Sequence, residues 1–118
     1  MPLDSAALRI CGTDSAYASP SVMAVNDNFL VAWQDRRNAN WDIYAARVSS
    51  NGSVFDTTGI PVCLVNGDQQ TPRIAASPDG YLIAWTDSRD GGTSRIFAAR
   101  SLSWGSGVPG FRPEPLNP

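Results

Sequence analysis

The sequence predicts an all-β fold made of two consecutive four-stranded antiparallel units, and three observations support this prediction. First, the 118-residue chain contains an internal repeat, in which Trp33 returns as Trp85, 52 positions later. Second, each copy holds short runs rich in aromatic and aliphatic residues, which strands prefer. Third, Gly, Asn, Asp and Pro separate these runs, as in hairpin turns. Consecutive hairpin-linked strands repeated about every 50 residues are the unit of a β-propeller.

The repeat extends well beyond the two tryptophans. Its best-matching segments are 29–37 with 81–89, and 42–47 with 95–100. The second match has a displacement of 53 instead of 52, so the loop between the two segments has gained one residue. Upstream, Pro20 returns as Pro72 and Cys11 returns as Cys63. The repeated unit therefore includes the strand before the tryptophan and the strand that leads into the next copy.

In the first copy, four strands are predicted in order. They are 21–25, 29–34, 42–48, and a last one that starts around Val54 and Phe55 and runs on toward Val62. The Asn-Asp-Asn turn at 26–28 joins the first two strands, and the Asn51-Gly52 pair is a strong two-residue hairpin signal before the fourth.

The second copy has three predicted strands, which are 73–76, 81–86 and 94–101. A Ser-Pro-Asp-Gly turn at 77–80 joins the first two strands. Beyond Gly105, residues such as Pro109, Pro113 and Pro115 remove the N–H donors that a fourth strand needs. We therefore expect the second unit to lack an outer strand of its own.

Several of these segments resemble the TolB-like β-propeller repeat. The resemblance rests on the Ser-Pro-Asp-Gly turn that ends at Gly80, the following aliphatic and aromatic strand, the Asp87-Ser-Arg89 loop, and Ile96-Phe97 in the third strand. It covers about three quarters of the chain and implies a six-bladed propeller, but it specifies no activity.

The expected organisation is a single domain of two repeats that needs other copies. Its parts are an orphan outer strand at 1–11, a blade repeat at 12–63, a three-stranded blade repeat at 64–104, and a proline-rich tail at 105–118. Because the orphan aligns with the fourth strand of the first copy, we expect it to complete the second blade of an adjacent subunit in a head-to-tail ring. The predicted partner is therefore the chain itself.

Two blades are fewer than the four to eight that close a propeller. A homotrimer, with six blades, is the favoured ring, and a tetramer would give eight. The competing hypothesis is a monomer or dimer in which the two sheets pack as a sandwich.

The residue types present argue against catalysis. The chain contains no His and no Lys, its only Glu is Glu114, and Cys11 and Cys63 are its only cysteines. Most acid–base, nucleophilic and metal chemistry has no residue to use, so we predict no catalytic residue, no metal and no cofactor. The two cysteines are expected to be buried free thiols.

Charge and hydropathy exclude further classes of partner. The formal net charge is −2 without a basic run, so neither nucleic acid nor an anionic membrane is an expected partner. No apolar run approaches the roughly 20 residues of a membrane span, and no signal peptide is recognisable, so a cytoplasmic location is expected by default.

Six repeated residues are interpreted as structural. They are Trp33, Asp35 and Arg37 in the first copy and Trp85, Asp87 and Arg89 in the second. We expect the tryptophans to lie in the core, each Asp to accept loop N–H groups, and each Arg to tie neighbouring blades together. The alternative interpretation is a ring of charged sites for a sugar or an anion.

The loop after the second strand of the first copy is the candidate binding site. Trp41 lies there among polar residues and has no aromatic counterpart in the second copy. The candidate set is Arg36, Asn38, Asn40, Trp41 and Asp42. We predict a non-catalytic binding or scaffold protein with a carbohydrate or protein ligand. The alternative is a hydrolase whose active site forms only in the assembled ring.

Overall fold

A computed structural model describes residues 7–13, 15–25, 28–78 and 80–102 of the protein. Within these ranges the fold is all-β, as predicted, with seven strands, no helix and two antiparallel sheets. The first sheet contains β1 (Tyr17–Val25), β2 (Asn28–Asp35), β3 (Asp42–Ser49) and β4 (Ile60–Cys63), and the second sheet contains β5 (Gln69–Ser77), β6 (Gly80–Asp87) and β7 (Arg95–Leu102). No helix of this described part could cross a membrane.

Some predicted features lie outside the described residues. These are residues 26 and 27 of the first turn, Asp79 of the second, residues 1–6 of the orphan strand and the tail at 105–118.

Each sheet is an up-and-down meander in which strands adjacent in sequence pair with one another. In the first sheet, β2 pairs with β3 from Asn28 opposite Ser49 to Asp35 opposite Asp42. In the second sheet, β6 pairs with β7 in the equivalent register. Since side chains alternate between the two faces of a strand, equal register places repeated residues on equivalent faces of the two sheets.

The first strand of each sheet, β1 or β5, begins four residues earlier than predicted. Each predicted strand starts just after a proline, which cannot donate a ladder hydrogen bond. Both strands in fact pass through a bulge at that point, where Ser19 and Thr71 have positive φ values of 55° and 56°. A bulge leaves one residue unpaired, so the proline is accommodated without ending the strand.

The outermost strand of the first sheet also differs from its prediction. The Asn51-Gly52 turn forms, and Val48 bridges Val54 beyond it. The ladder then stops, because the side chain of Asp56 accepts the Arg47 N–H, which a continued fourth strand would otherwise use, together with hydrogen bonds from the Arg47 side chain. Strand β4 therefore covers only residues 60–63.

The main core lies between the two sheets, where β5 contacts β1, β2 and β3. It includes buried residues of both sheets, among them Leu30, Ile43, Tyr81, Ile83 and Trp85. A smaller cluster on the opposite face of the first sheet contains Cys11, Trp33, Tyr44 and Ala46. Residues 7–11, the described part of the predicted orphan strand, form no strand within the single chain.

Candidate functional site

The first sheet holds a closed hydrogen-bonded unit made of Trp33, Asp35 and Arg37, which we call the first Trp–Asp–Arg unit. The Trp33 indole donates to Oδ2 of Asp35 at 3.0 Å. The backbone N–H and Nε of Arg37 donate to Oδ1 at 2.9 and 3.1 Å, and Nη2 donates to Oδ2 at 2.8 Å. Both carboxylate oxygens therefore have protein donors, and the Asp35 side chain is fully buried.

The second sheet reproduces this arrangement in its own Trp–Asp–Arg unit, made of Trp85, Asp87 and Arg89. The Trp85 indole donates to Asp87 Oδ2 at 2.9 Å. The Arg89 backbone N–H, Nε and Nη2 donate to the same carboxylate at 2.9, 3.0 and 2.7 Å. The hydrogen bonds of the two units therefore agree in partners and closely in length.

Each unit ends in a cation–π contact with the third strand of its sheet. The Arg37 guanidinium carbon lies 3.8 Å from the ring centre of Tyr44, and that of Arg89 lies 3.7 Å from the ring centre of Phe97. Such a stack holds the arginine fork in one orientation. Trp, Asp and Arg thereby fasten the second strand to the third.

The electrostatics of the units match a structural role. Burial disfavours the charged form of Asp35 and Asp87, but hydrogen bonds from arginine, indole and backbone N–H outweigh it and hold both pKa values below 3.8. Hydrogen bonds to Asp35 raise the pKa of Arg37 above its ordinary value. Both carboxylates are ionised and saturated with donors, so neither can act as a general acid or base near neutral pH.

Both cysteines are free and buried, as predicted, and each lies beside the arginine of a unit. Nη2 of Arg37 lies 3.4 Å from Cys11 Sγ, and Nη2 of Arg89 lies 3.8 Å from Cys63 Sγ. Burial raises the pKa of Cys63. Burial acts in the same sense on Cys11, but its hydrogen bonds with Thr13 and Tyr17 and the charge of Arg37 together lower its pKa.

The candidate binding loop, residues 36–42, divides into an outward and an inward part. Arg36 is exposed, and its guanidinium carbon lies 5.3 Å from the ring centre of the half-buried Trp41. Nη2 of Arg36 also donates to the Ala39 carbonyl at 3.2 Å, and Ala39 has a positive φ of 78°. Asn40 is half-buried beside them. Arg36 and Trp41, with the exposed Asn38 and the half-buried Asn40, are thus the loop residues that can present polar and aromatic groups to a ligand.

Asn38 and Asp42 bond within the protein. Nδ2 of Asn38 donates to Asp42 Oδ2 at 2.9 Å and lies 3.0 Å from the Tyr44 hydroxyl. With the Gln69 amide in the orientation that satisfies its neighbours, Nε2 of Gln69 donates to Asp42 Oδ1 at 3.2 Å and to the Val65 carbonyl at 3.2 Å. Asp42 is 1% exposed, so a ligand in solution cannot reach it without displacing these groups.

The environment of Asp42 disfavours its charge. Burial is the main cause, and the negative charges of Asp35 and Asp68 add to it, so the pKa of Asp42 is raised despite the hydrogen bond from Asn38. This is opposite to the lowered pKa of Asp35, which has an arginine partner. Asp42 serves as a buried acceptor that connects the two sheets through Gln69.

Further backbone contacts fasten the loop to the second sheet. The Trp41 N–H donates to Asp68 Oδ1 at 3.0 Å, and the Trp41 carbonyl accepts from the Gln69 N–H at 2.8 Å. Nearby, the buried Gln34 Oε1 accepts from the Thr71 N–H at 2.9 Å. Gln34, Asp68 and Gln69 were not among the predicted site residues. Gln34 and Asp42 differ between the two copies, which have Thr86 and Arg95 at the equivalent positions. This difference within an otherwise repeated segment could have indicated that the two residues have a role specific to the first copy.

A shallow groove of about 320 Å³ lies on the face of the first sheet that points away from the second sheet. Its apolar lining includes Leu8, Ile10, Val22, Phe29, Val31 and Val48, and residues 49–52 form its polar rim. Within the described residues, no group of three or more metal-ligating side chains converges.

Comparison with known proteins returned little. No family model matches the chain, and no curated protein matches it. Among solved structures, the chain is similar to a family 117 glycoside hydrolase produced by the marine bacterium Zobellia galactanivorans. The TM-score is 0.45 and the sequence identity is 15%. The match covers 93% of this chain but only 40% of the hydrolase chain.

Proposed function

We propose that this protein is a non-catalytic binding or scaffold module in which two β-propeller-type blades are presented by each chain. The observation that carries the proposal is the saturation of the repeated charged residues. Asp35, Arg37, Asp87 and Arg89 are all engaged within their units, so they hold strands together instead of acting on a substrate. What the chain offers to a ligand is the outward part of loop 36–42.

The chemistry of that loop suits a carbohydrate or a protein segment. The Trp41 ring supplies an apolar surface, and Arg36 above it supplies fork-shaped donors for hydroxyl or carboxylate oxygens. Asn40 adds an amide that can donate and accept. The anchoring of Trp41 to Asp68 and Gln69 fixes the loop backbone before a ligand arrives, which reduces the entropy lost on binding.

The proposal includes assembly through N-terminal strand exchange. In a ring, residues 1–11 of one chain would complete the second blade of the next, and three chains would close a six-bladed propeller, as the TolB-like resemblance implies. Light scattering tests this directly, with an expected mass of about 38 kDa, three times the 12.6 kDa of one chain. A mass of 12.6 kDa at high concentration contradicts the ring.

The binding role is tested with an array of neutral and acidic oligosaccharides and a panel of chromogenic glycoside and ester substrates. We expect retention of one oligosaccharide class without turnover of any substrate. Trp41→Ala and Arg36→Ala should each weaken retention at least tenfold, roughly the worth of one stacking or charged contact. Arg95→Ala is the matched control, because it changes an exposed arginine where the corresponding loop of the second sheet ends and β7 begins, and it should leave retention unchanged.

Two outcomes would redirect the proposal. Retention that is indifferent to Trp41 would move the binding site away from loop 36–42. Turnover of a substrate by the assembled protein would favour the alternative function, a hydrolase whose active site forms from residues of several chains.

A further inference from the structure

The interface between the two sheets provides a template for contacts between chains. On the first sheet, the face that meets the second sheet contains Leu30, Ile43 and Ala45, and we call it the trailing face. On the second sheet, the face that meets the first contains Ile74, Tyr81 and Ile83, and we call it the leading face. Because the two sheets repeat each other, each also has the other kind of face.

The trailing face of the second sheet is uncovered. Leu82 and Ile96, the counterparts of Leu30 and Ile43, are 38% and 74% exposed, whereas Leu30 and Ile43 are fully buried. Isolated exposed hydrophobic residues are ordinary, but these two lie on one face of the β6–β7 pair, Leu82 opposite Arg100 and Ile96 opposite Thr86, in the same register as the buried interface of the first sheet. The face therefore has the composition and shape of a surface that packs against another sheet.

The leading face of the first sheet is covered near Trp33 and Tyr44 by residues around Cys11, and it is uncovered at its other end. Val22 and Phe29 are 61% and 39% exposed, whereas their counterparts Ile74 and Tyr81 are 9% and 3% exposed. These residues line the groove beside Leu8 that was described above. One chain thus exposes both halves of an interface whose complete version it already contains.

Residues 8–11 mark where a preceding sheet would lie. Cys11 contacts Arg37 of the first sheet as Cys63, the last residue of β4, contacts Arg89 of the second sheet. Relative to the sheet that follows it, Cys11 therefore occupies the place of an outer-strand residue. Among the described residues, no strand pairs with the outer edge of β7, which is the edge that such an outer strand would join.

We propose that the trailing face of one copy packs on the leading face of a second copy in the arrangement of the two sheets within a chain, with residues 8–11 of the second copy pairing with β7 of the first. This inference rests on the proposed assembly and assigns its interface. The known pairs Ile43 with Cys63, Tyr44 with Pro61 and Ala45 with Ile60 fix the register. Transferred between copies, they become Ile96 with Cys11, Phe97 with Arg9 and Ala98 with Leu8.

Engineered cysteines test the register. A chain carrying Leu8→Cys and Ala98→Cys should form covalent oligomers under oxidised glutathione, because directly paired strand residues are close enough for a disulfide. A chain carrying Leu8→Cys and Arg95→Cys is the matched control, since Arg95 is exposed but lies beyond the proposed pairing. Efficient crosslinking of the control and not of the Leu8/Ala98 variant would overturn the register.

A substitution series tests the face itself. Ile96→Glu should raise the dissociation constant of the assembly at least tenfold, roughly the loss of one buried Ile side chain, as measured by light scattering over a dilution series. Leu64→Glu changes a similarly exposed apolar residue off this face and should leave the mass unchanged. Circular dichroism should remain that of the parent, because Ile96 is exposed in the single chain.

The outcomes separate this inference from the proposed assembly. If the parent protein is a monomer at every concentration, both fail. If it assembles but ignores Ile96→Glu and does not crosslink at Leu8 and Ala98, the assembly survives and the assigned interface is wrong.

Discussion

The two sheets have closely similar strands but bury them to different extents. Ile43 and Leu30 of the first sheet are inaccessible to solvent, whereas Ile96 and Leu82 at the same register positions of the second sheet are 74% and 38% exposed. Sequence cannot explain the difference, because the side chains are identical and point to equivalent faces. Packing explains the difference in exposure. The second sheet packs on Leu30 and Ile43, whereas no described residue packs over Leu82 and Ile96 in the same way.

The Trp–Asp–Arg units show the opposite behaviour. Their hydrogen-bond distances agree closely between the sheets although their surroundings differ. All three residues of a unit lie within five consecutive positions, so the local backbone places them together. Local geometry is therefore set by the repeat, and burial is set by what packs against it.

The largest expected effect tests the role of the neighbour. Ile43→Ala should lower the free energy of unfolding by about 3 kcal/mol, because it leaves a cavity between the sheets. Ile96→Ala should cost less than about 0.5 kcal/mol in dilute protein, because its side chain is mostly in water. Urea denaturation followed by fluorescence measures both. Equal losses in the free energy of unfolding in dilute protein would contradict the comparison. A loss for Ile96→Ala that grows with protein concentration would show that a second copy buries this side chain.

The next effect tests the Trp–Asp–Arg unit. Asp87→Ala should cost about 2–4 kcal/mol, because Arg89 and the buried Trp85 indole lose their acceptor. Asp90→Ala is the control. Asp90 pairs with Arg95 at 3.4 Å, with both side chains more than half exposed, and its loss should cost less than about 0.5 kcal/mol. A small effect of Asp87→Ala in thermal and urea unfolding would show that the unit is not a major source of stability.

The pH dependence of stability should distinguish the two buried carboxylates Asp87 and Asp42. The pKa of Asp87 is lowered by folding, so its stabilising contribution is complete above the ordinary value of 3.8 and is lost as the pH falls through the lower folded value. The pKa of Asp42 is raised, so protonating it above 3.8 stabilises the folded state. As the pH is lowered from neutral, the urea midpoint of unfolding should first rise slightly, as Asp42 is protonated, and then fall, as Asp87 is protonated. Asp42→Asn should remove the rise. A rise that persists in Asp42→Asn would assign it to another group.

The smallest expected effect is a gain in stability. The Tyr81 hydroxyl is buried between the sheets without a hydrogen-bond partner in the structure, and burial raises its pKa. Tyr81→Phe should therefore raise the free energy of unfolding by about 1 kcal/mol. The first sheet already carries Phe at the equivalent position, Phe29. A loss of stability in thermal unfolding would indicate that the hydroxyl binds water in solution.

Much of the fold was predictable because the sequence contains two copies of one unit, and each copy supports the strand boundaries of the other. Two copies of the Trp-x-Asp-x-Arg segment gave the second and third strands of each sheet to within a residue or two. The first strands were predicted too short, because a bulge at Pro20 and Pro72 depends on backbone conformation that composition does not reveal. The fourth strand shifted because the Asp56 side chain takes the backbone N–H of Arg47 that a fourth strand would otherwise pair with.

The candidate site was predictable only in part. Polar composition and the absence of a repeated counterpart singled out the loop around Trp41. Which of its residues face outward depended on partners distant in sequence, because Gln69 of the second sheet engages Asp42 and holds it inside. A polar residue in a loop sequence looks the same whether it faces solvent or bonds across an interface.

The sequence alone determined the second and third strands of each sheet and the Asn51-Gly52 turn, because alternation and turn residues act within a few neighbouring positions. The tertiary structure decided which faces are buried, where Asp42 points and which apolar surfaces remain open at Phe29 and Ile96. Burial is a property of two packed surfaces, so one repeat cannot specify it without the other.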